Sequence, residues 1–253
     1  METPNNAELM GQTTEPILAD TSFKLPYWVC EIGQRLTIFF TGPLCRVFLR
    51  KKVYGKENIK GIKPGVIFAM NHLSEWDPFA FADTFSLFSR MLPIYFISLE
   101  SKYYREHKTL RSWFYGGNFF RFMGAYPAIL GMKDYEKSLA FQIEMLKKGK
   151  NVLIFPEGGR SKDGKLQPAK GGVIALAKAA NVSVVPVAIS DGVFHVSLKD
   201  FLLRKRSVTI HIGKPISNEE IFREHKELQY SDYPKLADEK IMAKIAELLP
   251  KSI

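Results

Sequence analysis

Short, uninterrupted apolar runs recur from residue 66 onward, separated by longer segments in which apolar positions follow a helical period. Four of these runs predict strands buried on both faces, as in a parallel sheet, because neither face carries a polar stripe. They are Val66–Met70, Ile94–Ser98, Val152–Phe155 and Ser183–Ile189. A fifth segment, Ser207–Ile212, alternates apolar and polar residues and predicts a later strand, with an edge position in the sheet as one option.

Helical patterns fill the intervals between the predicted strands. The clearest is Lys133–Lys148, in which charged residues face outward and Gly149 marks the C-terminal stop. The predicted helices are Pro78–Phe88, Arg111–Phe122, Lys133–Lys148, Lys170–Ala180, Asn218–Glu227 and Tyr233–Leu249. Strands that alternate with helices predict an α/β fold over residues 51–253, with a single mixed, largely parallel sheet flanked by helices.

The N-terminal part of the chain has a different pattern. Residues 1–22 are polar and acidic, which predicts a disordered tail rather than a secretory signal. Residues 23–50 are amphipathic, with Glu31, Gln34 and Arg35 on the polar face. The opposite face carries the apolar side chains Leu25, Trp28, Val29, Ile32, Leu36, Phe39 and Phe40.

Pro43 divides this amphipathic segment, because proline is favoured in the first turn of a new helix. We therefore predict an amphipathic helical hairpin over residues 23–50, followed by the basic run Arg50–Lys52. The segment holds too many polar residues to be a transmembrane span, which needs about 20 predominantly apolar residues. Two interpretations stay open: a hairpin lying in the membrane interface, or a hairpin that packs its apolar face on the protein's own core.

The chain is basic, with 36 Lys and Arg residues against 26 Asp and Glu residues and a net charge of +10. This charge favours an anionic partner, either nucleic acid, acidic lipid headgroups or a phosphorylated substrate. The basic residues are scattered, without the interleaved aromatic residues of a nucleic-acid surface, so we expect no nucleic-acid partner. The two cysteines, Cys30 and Cys45, are too few to staple a domain and predict reduced thiols of a cytoplasmic protein.

The first candidate site is the segment NHLSEWDP, directly after the predicted strand Val66–Met70. His72 lies in the turn that leaves this strand, and Asp77 lies where the next helix begins. A carboxylate that folds back onto one imidazole nitrogen fixes the tautomer and leaves the other nitrogen to take a proton from a hydroxyl. The alternative is that Asp77 only caps the helix and His72 is satisfied within the turn.

The second candidate site is the segment FPEGGRS, after the predicted strand Val152–Phe155. Gly158 and Gly159 permit a backbone that exposes amides to an anion, and the Arg160 guanidinium suits a phosphate. Glu157 would repel a phosphate, so we expect it to orient Arg160 or to accept a hydrogen bond from a substrate hydroxyl. The alternative is a glycine-rich turn with a surface ion pair. Because the two segments follow strands of one sheet, they can face each other at its carboxyl edge.

The chain has no G-x-S-x-G nucleophile elbow, no Walker lysine loop and no cluster with metal-ligand spacing. A histidine base without a protein nucleophile predicts a reaction in which a hydroxyl of the substrate attacks directly.

The two segments resemble the motifs of the glycerolipid acyltransferases. NHLSEWD is similar to their N-H-x-x-x-x-D motif and FPEGGRS to their F-P-E-G-x-R-S motif, in the same order and at a similar separation. Further matches are Lys102 after the second predicted strand, Gly124–Pro127, Lys170–Gly172 and Val184–Ile189. The resemblance covers about residues 50 to 215, and the most similar subgroup is the 1-acylglycerol-3-phosphate acyltransferases.

The resemblance implies that His72 is the general base, that Asp77 orients it, and that phosphatidic acid is the product. Acyl-CoA or acyl-carrier protein would be the acyl donor, without a bound cofactor, and backbone amides near His72 would hold the oxyanion. Substrate-binding residues implied by the motifs are Asn71, Lys102, Glu157, Gly158, Arg160, Ser161 and Lys170. The expected partners are a lysophospholipid acceptor and an anionic membrane surface, bound peripherally at its cytoplasmic face.

One departure from the family pattern concerns the acceptor. The family usually carries an arginine shortly after the stretch that corresponds to Gly124–Pro127, and this chain has Leu130 there. One charge-assisted contact fewer costs about 1.5–3 kcal/mol of acceptor binding. This departure motivates one alternative, an acyltransferase acting on another lysolipid or lipid hydroxyl. A second alternative, motivated by the basic surface, is a lipid-binding protein without catalysis.

Overall fold

The computed structural model describes residues 26–48, 50–74, 76–98, 122–129, 134–190, 207–225 and 227–250. The predicted tail 1–22, the predicted helix Arg111–Phe122 except for its last residue, and the residues Lys102 and Leu130 lie outside the described residues.

The described strands form one seven-stranded sheet. The strands are β1 (Arg50–Tyr54), β2 (Ile67–Met70), β3 (Ile94–Ser98), β4 (Ala125–Pro127), β5 (Asn151–Ile154), β6 (Val184–Ser190) and β7 (Ser207–Ile212). Their order across the sheet is β1-β7-β6-β2-β5-β3-β4, and every neighbouring pair is parallel except β6 and β7. The prediction of a single mixed, largely parallel sheet is therefore confirmed.

The sequence pattern missed two strands, and this changes the place of β7. The segment RKKVY of β1 is too charged to read as a buried strand, and β4 is only three residues long. Because β1 pairs with β7 along its length, β7 is not an edge strand, and the edge option is wrong. The alternating pattern of β7 instead reflects its position next to the half-exposed edge strand β1.

Helices cover both faces of the sheet. They are α1 (Tyr27–Phe48), α2 (Asp77–Ala82), α3 (Tyr135–Ser138), α4 (Ala140–Lys147), α5 (Gly172–Ala180), α6 (Asn218–Phe222), α7 (Tyr233–Ala237) and α8 (Ala243–Leu248). A π-helical turn, Asp238–Met242, joins α7 to α8. The predicted helix Lys133–Lys148 is two helices, because Leu139 leaves helical geometry between α3 and α4. Predicted helix Pro78–Phe88 is shorter, ending at Ala82.

Two apolar cores lie on the two faces of the sheet. In β2, Ile67 and Ala69 belong to the core under α4, α5 and α7, whereas Phe68 and Met70 belong to the core under α1 and α2. This alternation explains why the central strands are continuous apolar runs, since both of their faces are covered.

The prediction of a helical hairpin over residues 23–50 is wrong for the described residues, because the single helix α1 runs through Pro43. Contacts with the rest of the protein reach the residue before the proline. The backbone of Gly42 lies against the Asp83 side chain, and β1 begins two residues after the helix ends. Within the described residues, no helix is both long enough and apolar enough to cross a membrane.

Helix α1 buries its polar side chain Gln34 together with Cys30 and Ile38, and leaves five of its apolar side chains exposed. Gln34 is 1% exposed; its Nε2 donates to the Ile94 and Met123 carbonyls at 2.6 and 2.8 Å, and its Oε1 accepts from the Ile94 N–H at 2.9 Å. The exposed apolar side chains are Trp28, Ile32, Leu36, Phe39 and Phe40, between 47% and 67% exposed. The interpretation that the apolar face packs on the protein's own core is therefore wrong for these five residues.

Candidate active site

The two candidate segments lie side by side at the carboxyl edge of the sheet. Strands β2 and β5 are parallel neighbours, with Ala69 opposite Ile154, so the chain leaves both strands at the same level. The expectation that the segments face each other is confirmed by direct contacts. The His72 ring stacks on the Phe155 ring with 3.7 Å between centroids and 14° between planes.

Asn71 joins β2 to the next strand on its other side. Its Nδ2 donates to the Ile189 carbonyl at 3.0 Å, and its Oδ1 accepts from the Ile189 N–H at 2.8 Å. The side chain is 2% exposed. Both polar atoms of Asn71 therefore hold β6 against the start of the His72 turn.

His72 and Asp77 make the contact that their spacing predicts. The imidazole Nδ1 lies 2.9 Å from Asp77 Oδ2, and the same oxygen accepts from the N–H groups of Leu73 and Ser74, each at 2.7 Å. Asp77 is the first residue of α2 and is 2% exposed. A carboxylate at Nδ1 assigns the proton to that nitrogen and leaves the Nε2 lone pair as the acceptor. The imidazole side chain is 16% exposed and so stays reachable.

The amides near His72 already have partners. The N–H groups of Leu73 and Ser74 donate to Asp77, and the His72 N–H donates to Glu157. The expectation that amides near His72 hold an oxyanion is therefore wrong for these three groups.

Glu157 is buried and bridges two backbone amides. Its Oε1 accepts from the His72 N–H at 3.0 Å, and its Oε2 accepts from the Gln167 N–H at 3.0 Å. Burial raises the pKa of Glu157 above its ordinary value, the hydrogen bonds from His72 and Gln167 oppose this change, and the charge of Asp77 adds to it. The predicted roles of Glu157, to orient Arg160 or to bind a substrate hydroxyl, have no counterpart in these two contacts.

Ser161 ends the second segment and is buried. Its N–H donates to the His72 carbonyl at 2.8 Å, and its hydroxyl donates to the Lys165 carbonyl at 2.8 Å and to Asp163 Oδ1 at 3.1 Å. The hydroxyl contacts hold Ser161 to the loop that follows it, and the N–H contact joins Ser161 to the His72 backbone. Like Asn71, Ser161 has a structural role that the motif resemblance did not indicate.

Two cationic side chains lie at the second segment. Arg160 and Lys170 are both exposed, and Gly158, which lies two residues before Arg160, has φ +68°, which favours glycine. A Cβ on Gly158 would lie 2.7 Å from Lys170 Cδ and 3.2 Å from its Nζ, so the Lys170 side chain crosses the turn where glycine leaves room. Together these cations suit an anion such as a phosphate. Within the described ranges, no three His, Cys, Asp or Glu residues are grouped to hold a metal ion.

Phe155 lies at the candidate site, against the His72 ring, and the sequence pattern did not single it out. It lies directly after β5, and its apolar character assigns it to the strand. The register of the parallel strands explains its position at the site. Ala69 of β2 lies opposite Ile154 of β5, so Phe155 leaves the sheet beside the residues that follow Ala69.

The fold and the site define an α/β protein with a histidine–aspartate pair and a glycine-containing turn with two exposed cationic residues at the carboxyl edge of its sheet. Residues 50–190, more than half of the 253-residue chain, match the model of the protein family described as Acyltransferase. The chain belongs to this family.

Relatives in the same family carry the name 1-acyl-sn-glycerol-3-phosphate acyltransferase. One from Chlamydomonas reinhardtii is 30% identical over 172 residues, which cover 67% of this chain and 47% of the relative. One from Saccharomyces cerevisiae is 32% identical over 114 residues, which cover 41% of this chain and 38% of the relative. The chain spans about half or less of the length of these relatives.

A solved structure shares the fold. The crystal structure of the 1-acyl-sn-glycerophosphate acyltransferase PlsC from Thermotoga maritima superposes with a TM-score of 0.54. The alignment is 22% identical in sequence and covers 86% of this chain and 81% of that one.

Proposed function

We propose that the protein transfers a fatty acyl group from a thioester, acyl-CoA or acyl-carrier protein, to the free hydroxyl of 1-acylglycerol-3-phosphate. The His72–Asp77 pair, with Nε2 left as a proton acceptor on a partly exposed imidazole, is the observation that carries the proposal. Family membership and the names of the relatives support the choice of reaction and acceptor.

In the proposed reaction, His72 Nε2 takes the proton from the acceptor hydroxyl as the hydroxyl oxygen attacks the thioester carbonyl. Asp77 holds the Nδ1 proton and stabilises the imidazolium that forms. The tetrahedral intermediate then collapses, the carbon–sulfur bond breaks, and the imidazolium returns its proton to the departing thiolate. An ester and a free thiol result, and the histidine is neutral again.

The acceptor phosphate is proposed to bind at the turn that carries Gly158. Arg160 supplies a planar guanidinium fork there, and Lys170 supplies a second cation whose side chain crosses the turn. No described acidic residue pairs with the Lys170 ammonium.

The protein is proposed to act at an anionic membrane surface, reached from the cytoplasmic side where thioester donors are made. The exposed apolar face of α1 supports this, because contiguous exposed aromatic and aliphatic side chains favour the membrane interface. The loop after α2 adds Phe88, which is 91% exposed, with the exposed cation Arg90 beside it.

This loop runs along α1 on the border of its apolar face. Asp83 lies against Gly42, and the Ser89 carbonyl accepts from Arg35 at 3.4 Å, so the contacts span two turns of the helix. Phe39 lies between these contact points in the helix and one turn from Arg35. Phe88 and the apolar face of α1 therefore supply one lipid-facing surface.

The decisive experiment measures thiol release from a long-chain acyl-CoA in detergent, with and without 1-acylglycerol-3-phosphate. We expect acceptor-dependent release in the wild type, loss of at least 10²-fold in His72→Ala, and near wild-type release in the control His211→Ala. His211 lies in β7 and stacks on Tyr54, away from the site. Retention of most activity in His72→Ala would refute the mechanism.

The same assay identifies the acceptor. Lysophosphatidylcholine and lysophosphatidylglycerol replace the proposed acceptor in parallel reactions, and acyl-carrier protein replaces CoA as the carrier. The residue Leu130 favours testing these alternatives, since it removes one phosphate contact that the family usually has. A clear preference for another lysolipid would move the proposal to that acceptor within the same reaction.

A further inference from the structure

We propose that Glu157 is a positioning residue for His72 and does not bind the acceptor. This inference rests on the proposed reaction for its kinetic consequence, but its structural content concerns the ligand-free protein. The Glu157 carboxylate connects the backbone of His72 to the backbone of Gln167, and these residues lie on the two turns that meet at the sheet edge.

The peptide groups on both sides of the His72 Cα are held by the second turn. The His72 N–H donates to Glu157 Oε1 at 3.0 Å, and the His72 carbonyl accepts from the Ser161 N–H at 2.8 Å. Because the N–H and the carbonyl of His72 are both hydrogen-bonded, a change in its φ or ψ angle breaks at least one of these bonds. The backbone that carries the imidazole is therefore fixed by residues 85 and more positions away in the sequence.

The imidazole ring is held by two further contacts. Asp77 holds Nδ1 at 2.9 Å, and the Phe155 ring covers one face of the imidazole at 3.7 Å. Glu157 acts on the part of the histidine that neither of these side chains reaches, since Asp77 and Phe155 contact the ring and Glu157 contacts the main chain. Loss of Glu157 is expected to shift the ring relative to both partners.

The surroundings of Glu157 disfavour a contact with the acceptor. Each carboxylate oxygen already accepts from a backbone amide, and the residue is 5% exposed. A hydroxyl of a lipid substrate would have to enter a buried space to reach it. The carboxylate would also repel the acceptor phosphate, which Arg160 and Lys170 attract from the exposed side of the same turn.

The loop itself has other restraints that survive the loss of Glu157. The Lys170 N–H donates to the Pro156 carbonyl at 2.7 Å, and the Ser161 hydroxyl donates to the Lys165 carbonyl at 2.8 Å. These contacts hold the turn near Arg160 and Lys170 when Glu157 is replaced. Substitution of Glu157 should therefore affect the histidine more than the proposed phosphate site.

The kinetic test compares Glu157→Gln with Arg160→Gln. A glutamine keeps one acceptor oxygen but presents an NH₂ group to the other amide, so one of the two backbone bonds is lost. We expect Glu157→Gln to lower kcat by roughly 10–100-fold, as a small misplacement of a catalytic group does, with KM for 1-acylglycerol-3-phosphate within about twofold of wild type. Arg160→Gln should show the converse, a raised KM with a smaller change in kcat. A raised acceptor KM with unchanged kcat in Glu157→Gln would overturn the inference.

A second test needs no substrate and separates this inference from the proposed function. The imidazole ¹⁵N signals of the ligand-free protein report the tautomer of each histidine, and the spectrum of His72→Ala identifies the signal of His72. We expect Glu157→Gln to shift or broaden this signal and Arg160→Gln to leave it unchanged. An unchanged His72 signal in a folded Glu157→Gln protein would overturn the positioning role, whether or not acyl transfer is observed.

Gln167→Pro provides a variant in which Glu157 stays in place. Proline has no N–H, so this change removes the second amide that Glu157 binds. We expect a fall in kcat in the same direction as for Glu157→Gln, with the acceptor KM kept. If Glu157→Gln does not fold, this variant decides the question by the same kinetic and spectroscopic criteria.

Discussion

The exposed apolar face of α1 makes a quantitative prediction about membrane binding. Phe40 is 67% exposed, so most of its ring contacts water when the protein is free. Full burial of a phenylalanine side chain contributes up to about 3 kcal/mol, and the alanine of Phe40→Ala keeps one carbon. The exposed part of the ring therefore accounts for about 1.5 kcal/mol, or roughly tenfold in the partition coefficient between water and vesicles.

Co-sedimentation with vesicles measures this partition directly. We expect Phe40→Ala to bind vesicles of phosphatidylcholine and phosphatidylglycerol about tenfold more weakly than wild type. Its thermal stability should stay within about 0.5 kcal/mol, because the ring is not part of the core. Tyr230→Ala is the matched control, since Tyr230 is also an exposed aromatic residue but packs on Tyr135 and Tyr233 under the opposite face of the sheet. Equal binding of Phe40→Ala and wild type would refute the proposed docking surface.

Three further predictions concern the site and the fold. Asp77→Asn replaces a charged carboxylate that accepts three hydrogen bonds. We expect kcat in the thiol-release assay to fall by about 10²–10⁴-fold. A loss of kcat below tenfold would contradict an orienting role. Gly158→Ala forces the Lys170 side chain to move, and we expect a severalfold rise in the KM for the acceptor. The control is Gly164→Ala, because Gly164 has a similar φ of +78° but open space around it, and this variant should leave the acceptor KM unchanged. Gln34→Leu leaves three buried backbone groups without their hydrogen-bond partner, the N–H and carbonyl of Ile94 and the carbonyl of Met123. We expect urea unfolding to show a loss of about 3 kcal/mol in the free energy of unfolding. A loss below about 1 kcal/mol would show that α1 is held mainly by other contacts.

The sequence determined the central sheet and the core of the site. Continuous apolar runs of four to seven residues identify strands covered on both faces, because runs this short fit a buried strand better than a buried helix. The His72–Asp77 contact was also predictable, since the two residues are five positions apart and a turn between a strand and a helix is short. Both predictions depend on local spacing, which the sequence contains directly.

Only the tertiary structure decided which face of α1 the protein covers. The sequence identifies an amphipathic helix, but burial depends on what the neighbouring elements offer. The backbone groups of Ile94 and Met123 need hydrogen-bond partners, and the Gln34 amide supplies them, so the polar residue is buried and the apolar face stays exposed.

The same reason separates the roles of Asp77 and Glu157. Asp77 binds a neighbour in the sequence, whereas Glu157 binds amides of His72 and Gln167, one of which is 85 positions away. Motif spacing placed Glu157 at the site but could not say whether its oxygens face a ligand or the main chain. That choice depends on the parallel pairing of β2 and β5, which brings two distant turns into hydrogen-bonding distance.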